Sequence, residues 1–163
     1  MRIAIFGAFL AAALSAQTIS VSQLALNVGQ PEKPLAELWG AAAQNPKSAP
    51  ARLNVGFALL AMNRFQQAEW AARESLDLDP ENARAQLLLG WTLVREYRYT
   101  AETLDCLHRA APVYPEAHLA AADVLSHQGS TREARAEIEL YLSAGAGEHR
   151  KVAESWLKLL NLQ

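Results

Sequence analysis

A tandem period constrains this chain more than any other feature. Ala49–Asn82 reads as two short helices, Ala49–Met62 and Phe65–Leu78, separated by the turn Asn63-Arg64. Its close, Asp79-Pro80-Glu81-Asn82, has a counterpart 34 residues upstream in Asn45-Pro46-Lys47-Ser48. Periods in this range mark stacked helical repeats, because a two-helix unit cannot bury its apolar face alone and leans on the next copy.

The side chains repeat in size as well as polarity. Val55, Gly56 and Leu59 share one stripe of the first helix, and Ala68, Ala72 and Ser75 form a stripe of small residues on the second. Small residues let two helix axes approach to the lower end of the usual ~8–10 Å. A shift of 34 turns Val55, Gly56, Leu59 and Phe65 into Leu89, Gly90, Leu93 and Tyr99.

In these residues the unit resembles a tetratricopeptide repeat, whose roles fall to Val55-Gly56, Leu59, Ala68, Ala72, Ser75 and Pro80. The second copy offers Leu89-Gly90, Leu93, Tyr99, Thr103, Ala110 and Pro115, with one extra residue near Arg98–Ala101. A third follows a shortened turn, with Ala121-Ala122, Leu125, Gly129, Ala134 and Tyr141. The resemblance covers roughly Lys33–Ala144 and implies an all-α fold, a right-handed α-solenoid of antiparallel helix pairs. The expected plan is a signal peptide at 1–16, an N-terminal segment and half repeat at 17–48, three repeats at 49–144 and a capping helix within 145–163.

Met1–Ala16 follows other rules. Arg2 precedes the apolar run Ile3–Leu14, and Ser15-Ala16 offers small residues for cleavage, after Ala16 or after Ser15. That run is too short for the ~20 apolar residues of a membrane span, so it reads as a secretory signal. The expectation is an exported bacterial protein, periplasmic or secreted, with no stable membrane span after cleavage. Gln17–Gln30 fits neither period; a short helix ending at Gly29 and an extended strip over the first helix are both open.

Other breaks follow the repeat. A helix from about Pro34 to Gln44 reads as the second half of a damaged first repeat. Ser48 and Asn82 are expected N-caps, and Ser130-Thr131-Arg132-Glu133 a capping box. Gly145 and Gly147 stop the last hairpin. A final helix, about Glu148–Leu160, is expected to bury Val152, Trp156 and Leu159 and to expose Arg150, Glu154 and Lys158.

Catalytic patterns are missing from the sequence. Histidines 108, 118, 127 and 149 form no HExxH-like pair, and there is no Gly-rich phosphate loop or GxSxG elbow. The lone Cys106 aligns with Ala72 on the 34-residue shift and is expected to be a buried, inert thiol, two residues from His108 on another face. Net charge is −2, which gives no footprint for nucleic acid. No enzyme activity, metal or cofactor is expected.

Binding is the better expectation. The resemblance implies that first helices line a concave groove holding a peptide or helix. Its expected lining is Phe57 and Leu60, then Arg84, Trp91 and Arg95, then Asp123 and His127, with Leu53, Leu87 and Leu119 alongside. Phe57 and Trp91 are equivalent and should be adjacent; an aromatic pair flanked by Arg suits an interface anchor. The Lys/Asn carboxylate clamp of some family members is not matched, because Leu53, Phe57, Leu87 and Trp91 stand there. The expected ligand is therefore an apolar or mixed peptide or protein. Packing of these side chains between neighbouring helices is the competing reading. A self-associating homo-oligomer using Trp39, Trp70 or the terminal helix is the alternative function.

Overall fold

The computed structural model describes residues 35–145 and 149–161. Among the described residues eight helices follow one another: α1 (Leu35–Gln44), α2 (Ala49–Ala61), α3 (Phe65–Leu78), α4 (Ala83–Arg95), α5 (Ala101–Ala110), α6 (Glu116–His127), α7 (Thr131–Ser143) and α8 (Arg150–Leu160). There is no strand among the described residues. The expected leader, the segment 17–30 and Gly147 lie outside the described residues.

Each hairpin turns on a residue with positive φ: Asn63 at 58°, Tyr97 at 57° and Gly129 at 80°. Asn63 and Tyr97 are 34 positions apart, so the same left-handed joint recurs where the period places it. The helices then start on caps. Ser48 accepts from the Ala51 N–H at 3.3 Å and Asn82 from the Ala85 N–H at 3.1 Å, satisfying donors a helix start leaves open.

Hairpin packing depends on two glycines. A Cβ on Gly56 would stand 3.2 Å from the Ala71 Cβ and 2.4 Å from a Leu88 methyl. On Gly90 it would meet the Leu107 side chain at 2.7 Å. Helices α2, α4 and α6 form an inner row, each backed by its hairpin partner, α3, α5 or α7. Beyond chain neighbours and this row, no pair of described helices makes more than marginal contact. One apolar core runs through α1–α6, and a second joins Leu119 and Ala122 to Ile138, Tyr141, Ala153 and Trp156.

Polar side chains tie each unit to the next. Arg84 donates to Asn54 at 2.9 Å, Arg95 to Asn63 at 2.7 Å, and Arg98 to Glu69 at 2.6 Å. Arg109 reaches Glu81 at 2.7 Å, and Gln128 reaches the Tyr99 carbonyl at 3.0 Å.

Three local expectations are corrected. The buried stripe Ala68, Ala72 and Ser75 recurs as Thr103, Leu107 and Ala110, a shift of 35, so Leu107, not Cys106, takes the place of Ala72. Cys106 instead takes the place of Ala71, and both are buried. Ser130 makes no side-chain cap bond, whereas Thr100 and Thr103 form the capping box that the sequence reading missed. Helix α8 buries Ala153, Trp156 and Leu160, leaving Val152 and Leu159 exposed. Its buried stripe packs with Ile138 and Tyr141 of α7 in the second core.

Candidate functional site

The inner row carries the residues the sequence singled out. Phe57 on α2 and Trp91 on α4 meet edge to face, with ring centroids 6.5 Å apart and planes at 82°. The Arg84 guanidinium lies 5.0 Å from the Phe57 centroid, so a cation covers part of one aromatic face. Arg95 sits instead over the Phe65 ring, at 5.1 Å. Burial lowers the pKa of both arginines from the ordinary guanidinium value, because desolvation disfavours the charged form.

At the third repeat the row becomes polar. His127 donates from Nδ1 to the Asp123 carbonyl at 3.0 Å, and an Asp123 carboxylate oxygen lies 3.4 Å from the same nitrogen. That carboxylate raises the His127 pKa, against the opposing effect of burial. Tyr99 stacks on the imidazole at a centroid distance of 4.3 Å. Among the described residues, its hydroxyl and Ser126 Oγ are buried without a hydrogen-bond partner. Burial, then the Asp123 charge, pushes the Tyr99 phenol above its usual range, so it stays protonated.

Exposure corrects the picture of an open trough. Phe57 is 0% and Trp91 2% exposed, and Leu60 and Asp123 are buried with them. These side chains do not stand in solvent as anchors. The first helices lie close enough that large residues fill the space between them. Arg84 and Arg95 are half-buried, and His127 reaches solvent.

The outer surface presents the opposite case. Trp39 on α1 and Trp70 on α3 lie 6.2 Å apart, yet are 38% and 48% exposed. A second grouping, which sequence reasoning missed, centres on Glu137: His108 approaches one carboxylate oxygen at 3.0 Å and His118 the other at 2.7 Å. Its members come from α5, α6 and α7, so no local spacing announces it. Glu69 likewise takes both Arg73 and Arg98; burial opposes ionisation, but the two hydrogen bonds outweigh it and hold the carboxyl below its usual range. Carboxylates that looked merely solvated are therefore structural bridges.

Burial, reinforced by Glu102 and Asp105, lifts the Cys106 thiol to about 11, so it is protonated at neutral pH. Among the described residues, no group of three or more His, Cys, Asp or Glu is placed to hold a metal ion. No described helix is long and apolar enough to cross a membrane.

No family model matches the sequence, and no curated protein gives a significant sequence match. Solved structures do match. MamA 41-end from Desulfovibrio magneticus RS-1 aligns with TM-score 0.70 at 19% identity, covering 90% of this chain and 83% of that one. The Yersinia enterocolitica type III secretion chaperone SycD, in complex with a peptide of the translocator YopD, gives 0.62 at 19%, over 68% and 90%. Pseudomonas aeruginosa pilF gives 0.63 at 20%, over 90% and 74%. The chain folds as a tetratricopeptide-type solenoid. At these identities the likeness fixes the architecture, and the chemistry of the inner row has to be read from this chain's own residues.

Proposed function

We propose that this solenoid is a non-catalytic scaffold that holds an apolar or mixed peptide, or a protein segment, along the inner face of α2, α4 and α6. The observation that carries this reading is the composition of that face. Leu53, Phe57, Leu60, Leu87, Trp91 and Leu119, buried between the first helices, form an apolar floor beneath it, while the half-buried Arg84 and the exposed His127, paired with Asp123, supply polar groups at its margins. Such a surface suits a ligand that contributes apolar side chains and a few hydrogen bonds. The SycD structure, with its bound translocator peptide, gives the same architecture a precedent as a peptide holder.

The leader-like Met1–Ala16 supports export to the periplasm or beyond the cell, so the partner is sought there. Its cleavage is checked by sequencing the N-terminus of the exported protein. Site-specific photo-cross-linking tests the binding reading. A cross-linker at Val94, on the inner side of α4, should trap a partner that one at Gln66 on α3 does not. Adducts from Gln66 alone would overturn it.

A second reading rests on the exposed Trp39–Trp70 pair: self-association through the outer surface. Concentration-dependent sedimentation that disappears in Trp70→Ser would support it, and a strict monomer would remove it.

A further inference from the structure

Helix α8 repeats the register of the earlier first helices. Its buried Ala153, Trp156 and Leu160 keep the spacing of the buried Ala85, Leu88 and Thr92 on α4, and face the preceding hairpin as Leu88 faces Gly56. Ala85, Ala117 and Ala153, all fully buried, are thus equivalent. Counted from them, Lys158 stands where Gly56, Gly90 and Ala122 stand, and Leu159 where Phe57, Trp91 and Asp123 stand.

Both differences change what α8 can hold. Gly56 and Gly90 lie against the second helix of their hairpin, where a Cβ would already crowd Ala71 or Leu107. A lysine at that place leaves no room for a close-packed second helix, so α8 closes the stack on that side. On the inner side α8 stays partly apolar, yet the cover is gone. Phe57 and Trp91 are sealed between neighbouring first helices, whereas α8 packs on α7 and touches other described helices only marginally. Val152 and Leu159, two turns apart, are 38% and 43% exposed, with the exposed Ser155 between them.

Charge of one sign edges this strip. Lys151 and Lys158 are exposed and have no ion pair among the described residues, while the one acid of the helix, Glu154, lies 3.5 Å from Arg150. Ser155 donates to the Lys151 carbonyl at 2.8 Å, which leaves its oxygen able to accept. We propose that Val152, Ser155 and Leu159, between Lys151 and Lys158, dock an acidic segment that carries aliphatic side chains; this rests on the reading of the inner face as a peptide holder. Contact there takes exposed apolar surface of both partners out of water. Carboxylates of the segment meet the two lysines, which sets its orientation and excludes basic segments. An anionic lipid surface fits less well. An interfacial helix lays its large apolar residues among the headgroups, and Trp156 and Leu160 are turned into the core.

Fluorescence anisotropy of labelled synthetic peptides with the full chain tests the docking. The probe is a short peptide of Glu and Leu at helical spacing, with Lys/Leu and Glu/Ala peptides as counterparts. The Glu/Leu peptide should bind, the Lys/Leu peptide should not, and the Glu/Ala peptide should bind about tenfold more weakly. Lys151→Glu combined with Lys158→Glu should weaken Glu/Leu binding about tenfold, and Leu159→Ser by a similar factor. These positions are exposed, so the melting midpoint should hold. Amide signals of Ser155 and Lys158 should shift on titration while that of Gln66 stays. Equal affinity for the Glu/Leu and Lys/Leu peptides, indifference to the variants, or no binding of the Glu/Leu peptide would each overturn the proposal. So would pelleting with phosphatidylglycerol vesicles that the same variants abolish, since the strip would then be a lipid contact. A partner trapped from Val94, with Glu/Leu binding unchanged in the variants, would remove the strip and keep the inner-face reading. Adducts from Gln66 alone would remove that reading, and the anisotropy would still decide the strip.

Discussion

Two aromatic pairs of nearly equal spacing meet opposite fates in this molecule. Phe57–Trp91 joins equivalent positions of successive repeats and is sealed from water; Trp39–Trp70 joins non-equivalent positions and is open to it. Contact between rings therefore says little about burial. What differs is the layer: the first pair belongs to the inner row, where first helices abut, and the second to the outer helices α1 and α3. The same residue types serve as core in one place and as candidate contact surface in the other.

Substitution of Trp91 by Ala should have the largest effect. Loss of a buried large aromatic costs about 3–5 kcal/mol, read as a drop in the denaturation midpoint. A loss below ~1 kcal/mol would mean that the inner pair is no more structural than the outer one. Gly90→Leu comes next, at about 1–3 kcal/mol from overpacking against Leu107. It should also weaken the near-ultraviolet signal of the adjoining Trp91; an unchanged midpoint would break the packing register of α4 on α5. Trp70→Ala should change stability by no more than ~0.5 kcal/mol, as for exposed positions generally.

The smallest effect should come from pH. His127 has its pKa raised in the folded state above the ordinary ~6.5, chiefly by Asp123. Its contribution is thus fully present below the unfolded value and fades as pH rises through the folded one. Urea midpoints between about pH 5.5 and 8 should fall slightly, by well under ~1 kcal/mol, and Asp123→Asn should abolish that slope.

Much of the fold was legible because the period constrains size and spacing together. Val55-Gly56-Leu59 and Leu89-Gly90-Leu93 named the hairpin faces, and Asn63 and Asp79-Pro80 named the breaks. The register beyond Tyr97 was harder, since a one-residue insertion hidden in a turn leaves the helix pattern intact while moving Leu107 into the place first given to Cys106. In α8, the stripes Val152-Trp156-Leu159 and Ala153-Trp156-Leu160 are equally helical, and only contact with α7 decides between them.

The candidate site was half legible. Equivalence placed Phe57 beside Trp91, and Asp123 lies one turn from His127 on the same helix. Exposure is a different matter, because a repeat pattern describes neighbours in the stack and is silent about what covers the stack. Glu137, facing two histidines from two other helices, carried no signal at all.

The ties between units, Arg84 to Asn54, Arg95 to Asn63 and Arg98 to Glu69, each span about one repeat and no more. Every joint is thus complete in itself, and a gene that copied or dropped one hairpin would leave the remaining joints as they were.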